Sequence, residues 1–127
     1  MSYLIVFLGA GIGGMVRHGM NLAALRLFGA GFPYGTLAVN VIGSFLMGLV
    51  AEYWAVKAGF SQPLRLFLTT GVLGGFTTFS AFSLDTVLLW ERGEALYAVL
   101  YAVVSVVLSV LALVVAVALV RAGTAQA

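Results

Sequence analysis

Gly71-Val72-Leu73-Gly74-Gly75-Phe76-Thr77-Thr78-Phe79-Ser80-Ala81-Phe82-Ser83 lies in the middle of an apolar stretch that runs from about Leu64 to Trp90. A stretch of that length is enough to cross the ~30 Å hydrocarbon core of a bilayer, which takes about 20 helical residues. Three glycines and a run of hydroxyls interrupt it. Each glycine costs a helix about 1 kcal/mol relative to alanine, so the expectation is a helix that breaks or unwinds here. Carbonyls freed at membrane depth must face protein, water or an ion. Carbonyl oxygens suit a hard cation. A kink patched by the Thr77 and Thr78 hydroxyls is the alternative.

Three further apolar stretches flank this one, from about Tyr3 to Phe28, Tyr34 to Val56 and Ala95 to Val120. Gly29, Gly31 and Pro33 punctuate the first turn, and Lys57, Gly59, Ser61, Gln62 and Pro63 mark a loop before the third stretch. A small polar tail ends the chain. No basic segment precedes the first apolar run, which therefore reads as a retained membrane helix rather than a signal peptide. The expected fold is all-α, a single membrane domain over residues 1–127, with four transmembrane helices and a break in the third.

Composition agrees. Of 127 residues, 63% are apolar and 8% charged, against about 45–50% and 25% in soluble domains. The net charge of +2 is spread thinly, which removes the electrostatic footprint of a nucleic-acid binder. With no cysteine and His18 as the sole histidine, thiolate chemistry and His- or Cys-rich metal sites are excluded. Gly9, Gly11 and Gly14 match a G-x-G-x-x-G string, but no strand precedes it and the first acid afterwards is Glu52; a dinucleotide site is rejected.

Four spans place both termini on one side. That side carries Lys57, Arg65 and Arg121; the other carries Arg26 and Arg92, with Arg17 if it lies outside the core. So small a bias cannot choose an orientation. Insertion in both directions, and an antiparallel dimer with its two-fold axis in the membrane plane, follow as expectations. Gly9 and Gly13, Ser44 and Gly48, and Gly71 and Gly75 are each four apart. Such spacing lets helices approach closely in lipid, within one chain or between two.

Several side chains are candidates for chemistry. Phe79 and Phe82 share a helix face. Ring edges carry positive potential, so edges lining a pore stabilise a small anion without holding it tightly; plain packing is the competing reading. Asn40, near the middle of the second span, needs partners for its amide: an anion and a neighbouring helix both qualify. Tyr97, Tyr101, Ser105 and Ser109 recur every four residues on an otherwise oily fourth span. Their stripe points to protein or water. Arg17 has no acid near it in sequence; an unpaired cation at a pore vestibule attracts anions, and snorkelling to the interface is the alternative. Asp85 and Glu52, toward span ends, read as solvated.

Taken together, these segments resemble the Fluc family of small fluoride channels. The strings that carry the resemblance are Gly14-Met-Val-Arg17, Gly35-Thr-Leu-Ala-Val-Asn40-Val-Ile-Gly43-Ser-Phe45, and Gly71 to Phe82 with Thr77-Thr-Phe-Ser80. Order, spacing and residue types agree in three spans, and the likeness covers nearly the whole chain. It implies an antiparallel dual-topology homodimer in the cell's inner (plasma) membrane, with two fluoride pores and a central structural Na⁺. Carried over by motif, Asn40, Phe79 and Phe82 line each pore. Ser80 and the Tyr101, Ser105 and Ser109 stripe form a polar track beside the phenylalanines. Arg17 matches the vestibule arginine, and the Gly74 and Thr77 carbonyls hold Na⁺. Ala81 stands where the family often has Thr, Asp85 where Glu is usual, and His18 where Tyr is common.

The implied activity is passive fluoride export rather than catalysis. With no acid read at mid-membrane, nothing in the sequence couples transport to protons. Weak, multiple contacts replace the hydration shell of the ion and still let it leave. Two rivals are a small dual-topology multidrug transporter, which needs a membrane-embedded carboxylate, and a non-transporting membrane assembly subunit.

Overall fold

The structure is a computed structural model that describes residues 1–57 and 61–125. Helix α1 covers Ser2–Phe28 and α2 Tyr34–Val56. The third span, Gln62–Glu91, is assembled from α3 (Gln62–Leu66), a π-helical stretch (Phe67–Leu73), α4 (Gly74–Phe76) and α5 (Phe79–Glu91). Helix α6 runs from Ala95 to Ala125. All four spans are long and apolar enough to cross a membrane, as their hydropathy predicts. Helix α6 outruns its expected end at Val120, so residues 121–125 of the predicted tail are helical. Gly59 of the predicted loop lies outside the described residues. Ser61 of that loop is the N-cap of α3, its hydroxyl accepting the Leu64 N–H.

The third span does break, but not at its glycines. Gly74 and Gly75 are helical, and the extended residues are Thr77 (φ −87°, ψ 158°) and Thr78 (φ −153°, ψ 123°). Both threonine hydroxyls are engaged. Thr77 donates to the Leu73 carbonyl at 3.0 Å, and Thr78 accepts the Ala81 N–H at 3.1 Å, capping α5. A cap of this kind lets a second helix start two residues after the first has stopped.

The glycines serve a crossing instead. Helix α1 lies along the π-helical stretch and α4, and α2 lies along α6. A Cβ on Gly9 would stand 2.8 Å from the Gly71 Cα, and one on Gly13 would stand 2.8 Å from the Phe76 amide nitrogen. Gly75 faces the backbone of Ala10 in the same way, and Gly48 lies 2.7 Å by the same measure from the Leu113 carbonyl of α6. Gly9, Gly13, Gly71, Gly75 and Gly48 therefore make close contacts within one chain. The fully buried core is small: Val39, Leu89 and Tyr101 are its largest members. Most other apolar faces point outward, as lipid permits.

Candidate functional site

Building the site starts at the break. Asn40 reaches across from α2 and holds Thr78 twice: its Oδ1 accepts the Thr78 N–H at 2.8 Å, and its Nδ2 donates to the Thr78 carbonyl at 3.0 Å. Of the two roles open to Asn40, the helix-bridging one is thus present. One N–H of its amide remains, since the side chain carries two.

The break also changes which carbonyls are satisfied. In an α-helix each carbonyl accepts from the N–H four residues on. Gly74 would accept from Thr78 and Thr77 from Ala81, but Thr78 N–H goes to Asn40 and Ala81 N–H goes to the Thr78 hydroxyl. Gly74 is exposed and Thr77 half-buried. A Cβ on Gly74 would meet only the Thr69 carbonyl, at 3.5 Å. Two carbonyl oxygens thus lie without their helical donors, and carbonyl oxygen is a donor type that a small hard cation takes. Among the described residues no cluster of His, Asp, Glu or Cys offers a metal site.

Beside the break is a cavity of about 310 Å³, walled by Asn40, Thr77, Thr78, Phe79, Phe82, Ser105 and Ser109. The rings of Phe79 and Phe82 lie 5.6 Å apart at 45°. Ser105 is 5% exposed, and its Oγ has no hydrogen-bond partner among the described residues. A buried hydroxyl without a partner is costly in a water-poor interior, and here it lies in the wall of a cavity. Phe79 is 79% exposed on the single chain.

The remaining predicted residues divide. Ser80 is exposed and lies 3.4 Å from the Thr78 hydroxyl, outside the cavity wall. Tyr101 is fully buried behind Phe82, with ring centroids 5.2 Å apart. Its hydroxyl donates to Asp85 Oδ2 at 3.1 Å. Tyr97 is exposed at the head of the stripe and meets Phe32 edge-on. Arg17 sends its Nε to the Gly75 carbonyl at 3.1 Å.

Two readings need correction. Asp85 is not simply solvated, because it accepts the Tyr101 hydroxyl. Glu52 pairs with Arg121 at 2.7 Å and keeps only 15% of its side chain exposed. Both partners come from α6, far along the chain, so proximity in sequence gave no sign of them.

A second cavity, about 390 Å³, opens where the α1–α2 turn meets α5. Asn21, Thr36, Ala81, Asp85 and Arg92 stand in its wall. Arg92 ties that turn down by donating to the Gly31 carbonyl at 2.9 Å. Asn21 and Thr36 were not singled out from the sequence. The only available sign was Gly35, whose missing Cβ makes room for the Asn21 side chain.

Comparison with known proteins agrees with this geometry. Residues 4–117 match the family described as CrcB-like protein, Camphor Resistance (CrcB). A protein of Granulibacter bethesdensis named fluoride-specific ion channel FluC is 66% identical over 98 residues, 77% of each chain. Two Rhodopseudomonas palustris proteins of the same name are 60% and 55% identical over 124 residues, 98% of this chain and all of theirs. A match over most of the chain, together with four membrane spans and a broken third, means that this multi-pass membrane protein belongs to the CrcB-like family.

Proposed function

We propose that the protein is a fluoride channel of the plasma membrane, conducting passively down the electrochemical gradient, and not an enzyme. The observation that carries this reading is the buried Ser105 hydroxyl, unpartnered in the wall of a cavity shared with Asn40, Phe79 and Phe82. Fluoride is small and tightly hydrated, so it needs donors that replace its water. The hydroxyls of Ser105 and Ser109 and the spare Asn40 N–H supply them. The phenylalanine edges add diffuse positive potential without a deep well. Ser80 and Tyr101 belong to the polar track at its margins, and Arg17 contributes fixed positive charge on the approach. The names of the relatives favour this reading over the multidrug transporter and the assembly subunit.

The functional unit in this reading is an antiparallel homodimer with two pores. Its support is the near-equal Lys and Arg count on the two sides, with Phe79 and Gly74 exposed on the single chain. The Gly74 and Thr77 carbonyls of both copies would hold a central Na⁺, whose charge satisfies oxygens that have lost their helical donors.

Liposomes containing the purified protein are expected to release fluoride when potassium can exit through an ionophore, as read by a fluoride electrode, with no release from protein-free vesicles. Absence of release would falsify the channel. For orientation, a tag at either terminus is expected to be accessible from both sides of the membrane in roughly equal amounts. A terminus confined to one side in every copy would sink the antiparallel dimer.

A further inference from the structure

The break in the third span takes the usual helical donor from the carbonyls of Gly74, Gly75, Phe76 and Thr77, and of these Gly75 is met by a side chain from another helix. Gly75 would accept from Phe79 N–H in a continuous helix, but Thr77 and Thr78 are extended and carry Phe79 away. The Nε of Arg17 stands in its place at 3.1 Å, from a residue 58 positions earlier. Asn40 grips the other side of Thr77, holding both backbone groups of Thr78. The two extended residues are thus clamped from α1 on one side and from α2 on the other. Phe79, the first residue of α5 and part of the cavity wall, follows directly.

We propose that Arg17 is a positioning residue, its Nε–H replacing the lost backbone donor of Gly75 so that the break, and with it the Phe79 ring, keeps one geometry. This role belongs to the donor and not to the charge. It rests on the fluoride-channel reading for its transport consequence, but not for its structural one.

Side-chain chemistry separates donor from charge. The amide nitrogen of glutamine stands as many bonds from Cα as the arginine Nε, so Arg17→Gln keeps the donor and removes the charge. Arg17→Met matches the glutamine in length, reaching as far as Nε, and removes both. Charge attraction acts through the field and is screened within about 10 Å at 0.1 M salt and about 3 Å at 1 M; a hydrogen bond to Gly75 is not.

The experiment measures fluoride efflux per reconstituted protein at about 0.1 M and about 1 M salt, with dimer elution and melting temperature of each variant. Arg17→Gln is expected to be slow at low salt and within about twofold of the parent at high salt. Arg17→Met is expected to be slower by about tenfold or more at both, equivalent to about 1.4 kcal/mol on the barrier, and to melt below both others. Failure of the methionine variant alone to elute as a folded species supports the same role. Equal efflux and equal melting of the two variants at high salt overturns the proposal, as does a glutamine variant that is as slow or as unfolded as the methionine one. A parent protein that carries no fluoride refutes the channel reading instead, and the melting order still decides for or against Arg17 as the brace.

Discussion

Phe79→Ile is expected to slow fluoride efflux by on the order of ten- to a hundredfold while the protein still elutes as the parent does. Isoleucine keeps much of the apolar bulk but has no ring edge, so the partial positive charge that faces a dehydrated anion disappears. A loss of about 1.4–3 kcal/mol from that effect corresponds to the stated range, at 1.36 kcal/mol per decade. Phe79 is the cleaner of the two positions. It is 79% exposed on the single chain, so its replacement removes little packing within the chain. Phe82→Ile is expected to slow efflux as strongly. It also forfeits the ring contact with Tyr101, worth about 0.5–1.5 kcal/mol, and should melt at a lower temperature. Normal efflux from a well-folded Phe79→Ile, Phe82→Ile double variant would reduce the pair to packing.

The second large effect concerns the crossing of α1 with the third span. Gly13→Ala and Gly75→Ala are each expected to abolish the folded protein. A methyl on Gly13 would collide with the Val72 carbonyl and come within 2.8 Å of the Phe76 amide nitrogen; one on Gly75 would meet the backbone of Ala10. Overpacking typically costs about 1–3 kcal/mol when side chains can shift. Here the obstructing atoms are backbone on both helices, so relief requires α1 and the third span to separate. That separation would also pull Arg17 from Gly75. Gly11→Ala and Gly19→Ala provide the control, because nothing lies within 4 Å of either added methyl. Size-exclusion profiles and thermal melts of the four variants check the expectation. A Gly13→Ala protein that elutes and melts like the parent would mean that α1 does not cross the third span at these glycines.

The four spans were legible from residue order alone, and so was the existence of a break. In lipid a spanning helix satisfies nearly all of its backbone groups within its own segment. Length and hydropathy, both properties of a single stretch, are therefore enough to place a helix. The interruption was visible for the same reason: Gly74, Gly75, Thr77 and Thr78 stand out against Val, Leu and Ala. Its exact position was not, because glycine's weakness as a helix former was outweighed by the close crossing it allows. Gly9 and Gly13 accept the third span so tightly that the glycines opposite them remain helical, and the chain opens two residues later, where Thr78 can cap.

Candidate residues such as Asn40, Phe79 and Ser105 could be named from type and spacing, but their partners could not. In a soluble helix a stripe of apolar residues tells which face is buried. These spans are apolar nearly all round, so no apolar stripe singles out a buried face; the small residues of α1 and the hydroxyl stripe of α6 mark a packed face without saying which helix meets it. Choice of neighbour is then made by shape, through missing methyl groups and the few polar atoms that must find one another. Arg17 finds Gly75, Asn40 finds Thr78, Tyr101 finds Asp85 and Arg121 finds Glu52. Each pairing joins residues 16 to 69 positions apart, and each became visible only once the helices were packed, because unmet hydrogen-bonding capacity is a property of the assembled interior and not of any single stretch of chain.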